Sequence, residues 1–215
     1  VDITTSFDTA NQGYAVTINS STFDAAGDTD FLNTGTVILG NDASDVLTFA
    51  GGLATTGNGS NPGTVNAAGT INTTNTRMDI GAVTLTKATT FDTGNAAAGV
   101  LNIGAVTSGT NSLTLDSGAT AGATMSLTSM VDASGGLTIR DAGGLATIGD
   151  IGSGTAGAVT ITDSTGGVTF SGNVDSTTLT ITDTTDAAVV TFAQGGDVDI
   201  TTSFDTANQG YAVTI

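Results

Sequence analysis

The sequence predicts an all-β protein whose chain coils as a parallel β-helix, or β-solenoid. Three observations predict it. Apolar–polar–apolar triplets recur at nearly even intervals, Gly, Asn, Asp and Ser separate them, and only 5% of the residues are aromatic. Alternation is typical of a half-buried strand, and the separating residues favour turns. A sandwich needs longer strands and a heavier core, and Thr, Gly, Asp and Asn are poor residues for helix interiors.

The triplets define the ladders that we expect. Successive coils lie about 4.8 Å apart, so the first residue of each triplet should stack inside and the central residue should form an outward column. A second series, Val168-Thr169-Phe170 and Val190-Thr191-Phe192, is out of phase with the first, and Val46–Phe49 is similar to it. The first series comprises Leu113-Thr114-Leu115, Leu137-Thr138-Ile139, Val159-Thr160-Ile161, Leu179-Thr180-Ile181 and Val198-Asp199-Ile200.

The single proline, Pro62, predicts a loop outside the ladders. It lies in the polar stretch 57–63. Interior strands of a solenoid need their backbone N–H groups for the neighbouring coil, and proline has none. We therefore expect residues 57–63 to bulge from the stack.

Composition excludes several classes of function. The 215 residues include no Cys, no His and 20 acidic side chains, all Asp, against three basic ones, for a net charge of -17. Without Cys or His there is no thiol nucleophile, disulfide framework, zinc finger or Ser-His-Asp triad. An acidic surface repels phosphate backbones, so we expect no nucleic-acid partner. No run of residues reaches the roughly 18 apolar positions of a membrane span.

An exact internal repeat divides the chain. Residues 1–18 and residues 198–215 are identical at all 18 positions, with an offset of 197 residues. We interpret residues 1–197 as one β-solenoid unit of nine or ten rungs of about 20 residues, and residues 198–215 as the start of the next identical unit. An artificial duplication, or one short motif copied at both ends of a domain, would give the same pattern.

The residue usage of the sequence resembles that of a known class of protein. The segment from Thr36 to Leu53, TVILGNDASDVLTFAGGL, is rich in Thr, Gly, Asn and Asp, and the chain has little Lys and no Cys. It is similar to the β-strand repeats of giant bacterial surface proteins, the filamentous-haemagglutinin-like and autotransporter-type adhesins and fibres. The resemblance implies a right-handed parallel β-helix that is exported by a Gram-negative-type route and used as a stalk, fibre or adhesive filament. The identity of the units departs from adhesin rungs, which usually diverge.

Closely spaced aspartates are the candidate metal ligands. Calcium prefers several oxygen ligands, and aspartates at equivalent corners of stacked coils would repel unless a cation bridges them. The alternative is that these side chains cap turns through the nearby backbone. The calcium candidates are Asp28, Asp30, Asp42, Asp45, Asp197 and Asp199, with a further group at Asp183 and Asp186.

No enzyme activity is expected. A polysaccharide lyase or hydrolase on this fold would need converging carboxylates near a cation. The available candidates are Arg77 with Asp79, Arg140 with Asp141, and Lys87, and their simpler interpretation is surface ion pairing. Neither His nor Glu is present as a tuned acid or base.

The expected function follows from shape. Identical units should stack end to end into a long, stiff structural fibre or surface layer outside a bacterial cell. The alternative is the stalk of a giant cell-surface adhesin whose binding tip lies elsewhere in the polypeptide. Charge repulsion between neighbouring rods reaches only about 8 Å at physiological salt, so divalent cations such as calcium would allow lateral bundling.

Overall fold

The computed structural model describes residues 1–57, 59–154, 156–182, 188–193, 195–207 and 210–215. Within them lie 21 strands and one 3₁₀ turn, Ala133–Gly135. The strands are β1 (Asp2–Ile3), β2 (Val16–Ile18), β3 (Thr22–Ala25), β4 (Thr29–Asp30), β5 (Thr36–Leu39), β6 (Val46–Phe49), β7 (Leu53–Ala54), β8 (Thr64–Asn72), β9 (Met78–Ile80), β10 (Val83–Asp92), β11 (Leu101–Thr107), β12 (Leu113–Asp116), β13 (Met125–Val131), β14 (Leu137–Asp141), β15 (Ala146–Ser153), β16 (Gly157–Ile161), β17 (Val168–Phe170), β18 (Val174–Ile181), β19 (Val189–Phe192), β20 (Val198–Thr206) and β21 (Ala212–Thr214).

Every pairing between these strands is parallel, and each strand pairs with a segment one circuit of the chain away, which confirms the parallel β-helix. The registers define three faces, which the chain visits in the order 1, 2, 3. The inward column of face 1 is Val16, Val37, Val65, Val83, Val106, Met130, Ile151, Val174 and Val198. That of face 2 is Phe23, Leu47, Ile71, Phe91, Leu115, Ile139, Ile161, Ile181 and Thr206. That of face 3 is Thr29, Leu53, Met78, Leu101, Met125, Ala146, Val168, Val190 and Val213.

The core is one continuous apolar column inside these faces. Buried and solvent-facing positions alternate along the strands, as in Met78–Ile80 and Leu113–Asp116. Phe49, Phe91 and Phe170 are fully buried in it. Full burial of one such side chain contributes about 1.5–3 kcal/mol, so this column is the main source of stability.

The predicted ladder of triplets is correct in four members and wrong in the fifth. Leu113, Leu137, Val159 and Leu179 stack in register on face 2. The next residue above Leu179 is Phe204, whereas Val198 stacks on Val174 of face 1. The outward threonine column therefore continues to Asp205, and Asp199 belongs to another face. After the fourth triplet on face 2, the chain passes face 3 at β19 and reaches face 1 at Val198. It returns to face 2 only in the second half of the strand Val198–Thr206.

The coil makes about nine circuits, and their lengths vary with the corners. Val65 pairs with Val83 after a short circuit, whereas the circuit that leads from Val37 to its partner Val65 is the longest on face 1. The circuits are on average longer than the predicted rungs. The longest one contains Pro62, outside any strand in the loop between β7 and β8. Pro62 thus lies outside the strands, as predicted, although the N–H groups of Asn61 and Gly63 still donate to the carbonyls of Phe31 and Thr34 in the coil below (both 3.2 Å). Asn58, within the predicted bulge, lies outside the described residues.

Candidate functional site

The turn that begins the stack is formed by residues 1–18, which contact the coil above them. Asp2 and Ile3 pair with Asp24 and Ala25 on face 2, and Val16–Ile18 pairs with β5 on face 1. Between them, the backbone N–H of Thr9 donates to the carbonyl of Asp30 on face 3 (3.1 Å). The first copy of the repeated segment therefore pairs with a neighbouring coil on one of its two sides.

The turn that ends the stack is the second copy of the same segment, and it contacts the coil below it. Val198, Asp199 and Ile200 pair with residues 174–176 on face 1, and residues 203–206 pair with residues 178–181 on face 2. Ala212–Thr214 pairs with residues 189–191 on face 3. The second copy therefore pairs with a neighbouring coil on the opposite side of the segment.

Two pairs of equivalent aliphatic side chains point the same way in the two copies. Ile3 and its duplicate Ile200 are both half-buried against the core, and so are Val16 and its duplicate Val213. The segment therefore presents the same inward side chains whether the neighbouring coil lies above or below it. One segment could accept both neighbours at once.

The outer sides of both end turns are apolar and open. Tyr14 is 41% exposed, Phe204 is 38% exposed and Ile215 is 85% exposed, although Ile18, the duplicate of Ile215, is only 7% exposed beneath the next coil. A cleft of ≈ 440 Å³ at the last turn is lined by Phe192, Val198 and Ile215 together with small residues. Open strand edges and exposed apolar side chains favour pairing with a further strand.

Aromatic contacts mark both ends. The ring of Phe7 makes edge contacts with Phe23 and Phe31, at centroid distances of 5.9 and 6.0 Å. Its duplicate, Phe204, makes an edge contact with Phe192 at 6.4 Å. The same position therefore has aromatic neighbours above it in one copy and below it in the other.

A second feature, which the sequence analysis missed, is a ladder of aspartates on face 2. Asp92, Asp116 and Asp141 follow one another in register on three successive circuits. Arg140 Nε lies 2.6 Å from Asp116 Oδ2, and Arg140 Nη2 lies 3.5 Å from Asp92 Oδ2. One guanidinium thus bridges two carboxylates, which relieves part of their repulsion.

The third carboxyl of this ladder, that of Asp141, has a raised pKa. Burial raises the pKa of Asp141 to about 6, and the charges of Asp163 and Asp116 act in the same direction. The Asp141 Oδ1 atom is buried and has no hydrogen-bond partner among the residues that the structure describes. Its ionised form is therefore disfavoured in the folded chain.

We expect Asp141→Asn to stabilise the protein at pH 7.5 by about 1–2 kcal/mol, less than the full linkage energy because the carboxyl is partly solvated. The folded pKa of about 6 lies above the ordinary aspartate pKa of 3.8, so the folded chain holds a proton that the unfolded chain releases. Stability therefore falls as pH rises from about 4 to about 6, and the advantage of the variant should vanish near pH 3.5. Urea unfolding of both proteins at several pH values measures this difference in stability.

The matched control is Asp24→Asn, an exposed aspartate on the same face, which changes the net charge equally. It should shift stability similarly at both ends of the pH range. A gain for Asp141→Asn that is independent of pH would contradict the assignment.

The calcium candidates lie in separate parts of the stack. Asp45 is buried, and its Oδ2 accepts hydrogen bonds from the backbone N–H groups of Asn41 and Asp42 (2.9 and 3.0 Å). Asp42 Oδ1 accepts from the backbone N–H and the hydroxyl of Ser44 (3.0 and 2.8 Å). These two side chains cap their own turn, which is the alternative interpretation of the pattern.

The remaining candidates lie in two further regions of the stack, one near Asp28 and one near Asp197. Asp28 Oδ1 accepts from the N–H of Thr29 (3.1 Å), whereas Asp30 lies on face 3. The N–H of Asp197 donates to Asn173 Oδ1 (2.9 Å), and Asp199 stacks beside Asp175.

Asp183 and Asp186 lie outside the described residues. Among the residues that are described, no three acidic side chains converge as metal ligands. Calcium binding stays a prediction, which melting in excess calcium and in excess EGTA would test.

Both arginines form ion pairs at the surface, and Lys87 is exposed on β10. Arg77 Nε lies 2.6 Å from Asp79 Oδ2, and Asp79 Oδ1 accepts from Asn102 Nδ2 (2.8 Å). Arg140 contacts Asp116 and Asp92, and the structure shows no hydrogen bond from it to its sequence neighbour Asp141.

Comparison with known proteins finds no matching family model, curated relative or solved structure. The described residues contain no helix of the length and apolar character that a bilayer crossing requires.

Proposed function

We propose that this chain is a segment of a long extracellular bacterial fibre or surface layer, built from identical 197-residue β-helical units that continue one another without a break. The supporting observation is that one 18-residue sequence is seated on a coil below it in one copy and under a coil above it in the other. A single copy placed between two units would make both sets of contacts at once.

The contacts of the two copies are mutually compatible. Where units join, Phe204 would keep Phe192 on one side and would meet, on its other side, the counterparts of Phe23 and Phe31 in the next unit. The exposed apolar side chains of the end turns would become interior. The junction would thus resemble any other level of the stack.

The proposed role is mechanical and not enzymatic. Each coil of a solenoid rests on its neighbours, so the whole array behaves as a quasi-one-dimensional rod. Backbone ladders with few long loops resist local opening and proteolysis. The net charge of -17 keeps rods apart in low salt, and divalent cations would promote lateral bundling outside the cell.

We expect polypeptides with one, two and four fused units, each ending in the 18-residue segment, to form rods whose length grows by about 42 Å per added unit. This value is the coil spacing of about 4.8 Å multiplied by the roughly 8.7 circuits that 197 residues make at the average circuit length between Val16 and Val198. Small-angle X-ray scattering and electron microscopy measure both length and stiffness.

The control disrupts the junction alone. Phe204→Asp at the internal junction of the two-unit protein places a charge between the two aromatic neighbourhoods and should introduce a bend. Unmodified two-unit chains that behave as two beads on a flexible linker would contradict the proposal.

A further inference from the structure

We infer that successive units of the fibre are rotated about the fibre axis by one face of the three, so that the rod repeats only after three units. This inference rests on the proposed fusion of units. It concerns how the units meet, which an unbroken sequence repeat alone does not determine.

The offset between the two copies of the segment can be counted first along face 2. Asp2 begins this face, and nine pairings lead circuit by circuit from β1 to the second half of β20. The residues reached there are 203–206, whereas Asp199, the duplicate of Asp2, lies one face earlier, on face 1. The 197-residue period is therefore nine circuits less one face.

The other faces provide an independent measurement. Val16 lies on face 1, and eight pairings lead along that face to Val198. Its duplicate, Val213, lies two faces further on, in register with Val190 of face 3. Eight circuits and two faces equal nine circuits less one face, so both ends of the repeated segment give the same offset.

Nothing in the contacts of the segment requires a whole number of circuits. Asp199 pairs with Asp175 on face 1, and Asp2 pairs with Asp24 on face 2. In the fused chain, the next copy of Asp24 would stack on Asp199. The whole following unit would therefore be rotated about the fibre axis by one face. The pairing partners stay those already observed, and only the face on which they lie changes.

The rotation distributes surface features around the rod. The ladder of Asp92, Asp116 and Asp141 lies on face 2 of one unit, and it would occupy face 1 in the next unit and face 3 in the one after. Every side of the fibre therefore presents the same charge pattern to a neighbouring fibre. Lateral contacts between fibres would then be equivalent in three directions, without one adhesive side.

Helical reconstruction from electron micrographs of a six-unit fused protein tests the inference. The expected rotation between units differs from a whole turn by about 120°, with a rise of about 42 Å per unit and an axial repeat of about 125 Å. A gradual twist of the stack adds a small rotation per circuit that accumulates along the unit, and the deletion variant described next measures the twist of one circuit separately.

Deletion of residues 114–137 from every unit is the matched control. Thr114 and Thr138 are register partners, so this deletion removes one whole circuit and joins equivalent positions. The rise should fall by about 4.8 Å, whereas the offset of one face should persist apart from the twist of the lost circuit.

The outcomes separate the two proposals. Rigid rods with a rotation near zero between units would overturn the one-face offset and leave the fibre intact. Absence of rods from the unmodified six-unit chain would overturn the proposed function and this inference with it. A rotation near one third of a turn supports both.

Discussion

Replacement of Phe49 with alanine is expected to lower the free energy of unfolding by about 3–5 kcal/mol, because a large buried side chain loses its transfer energy and leaves a cavity. Phe49 is fully buried on face 2. Its ring lies 5.3 Å from that of Phe23 and 6.3 Å from that of Phe31. These contacts bind the second and third coils together.

Urea unfolding measured by circular dichroism tests this value. The control is Val46→Ala, in the same strand, where the side chain is 40% exposed and its truncation should cost less than about 1 kcal/mol. Equal losses in the two variants would show that Phe49 does not lie in the core. The loss also predicts earlier proteolysis near residues 20–50 than in the rest of the chain.

Replacement of Gly149 with valine is expected to cost about 3 kcal/mol or to prevent folding, because the new side chain has no space at the corner between faces 3 and 1. A Cβ atom at this position would collide with the carbonyl oxygen of Thr128 and would lie 3.3 Å from that of Leu127, both in the coil below. Backbone cannot move aside there without breaking the pairing of β13 with β15.

Thermal melting and expression of the folded protein measure this effect. The control is Gly13→Ala, where the nearest atom to a new Cβ is Thr34 Oγ1 at 3.9 Å, and its melting temperature should change little. A Gly149→Val variant that melts like the original protein would contradict the close stacking of these two coils.

Local features of the fold follow from local sequence. Alternation of apolar and polar residues identifies strands such as Leu113–Asp116, and the inward side of the triplets that begin at Leu113, Leu137, Val159 and Leu179 is correct from the pattern alone. Pro62 predicts the loop because proline lacks the N–H that a ladder needs. The identical 18-residue segments identify the repeat without any structure.

Placement of each strand on a face depends on the corners, which carry no periodic signal. Val198-Asp199-Ile200 looks like the next member of the Leu179 ladder, yet it stacks on Val174 because the number of residues in the preceding corners moves it to another face. The aspartate ladder is hidden for the same reason. Asp92, Asp116 and Asp141 become neighbours only after the circuits between them close in register.

The sequence by itself determines that this chain forms strands, which side of its apolar–polar–apolar triplets faces inward, and that its first segment recurs at the other end. These are properties of the residues themselves and of side chains close together along the chain. Only the tertiary structure decides how many circuits separate the two copies, and hence that they lie on different faces. That number depends on how much chain every corner takes up, and the corners differ, since the circuit that contains Pro62 is longer than the one that leads from Val65 to Val83.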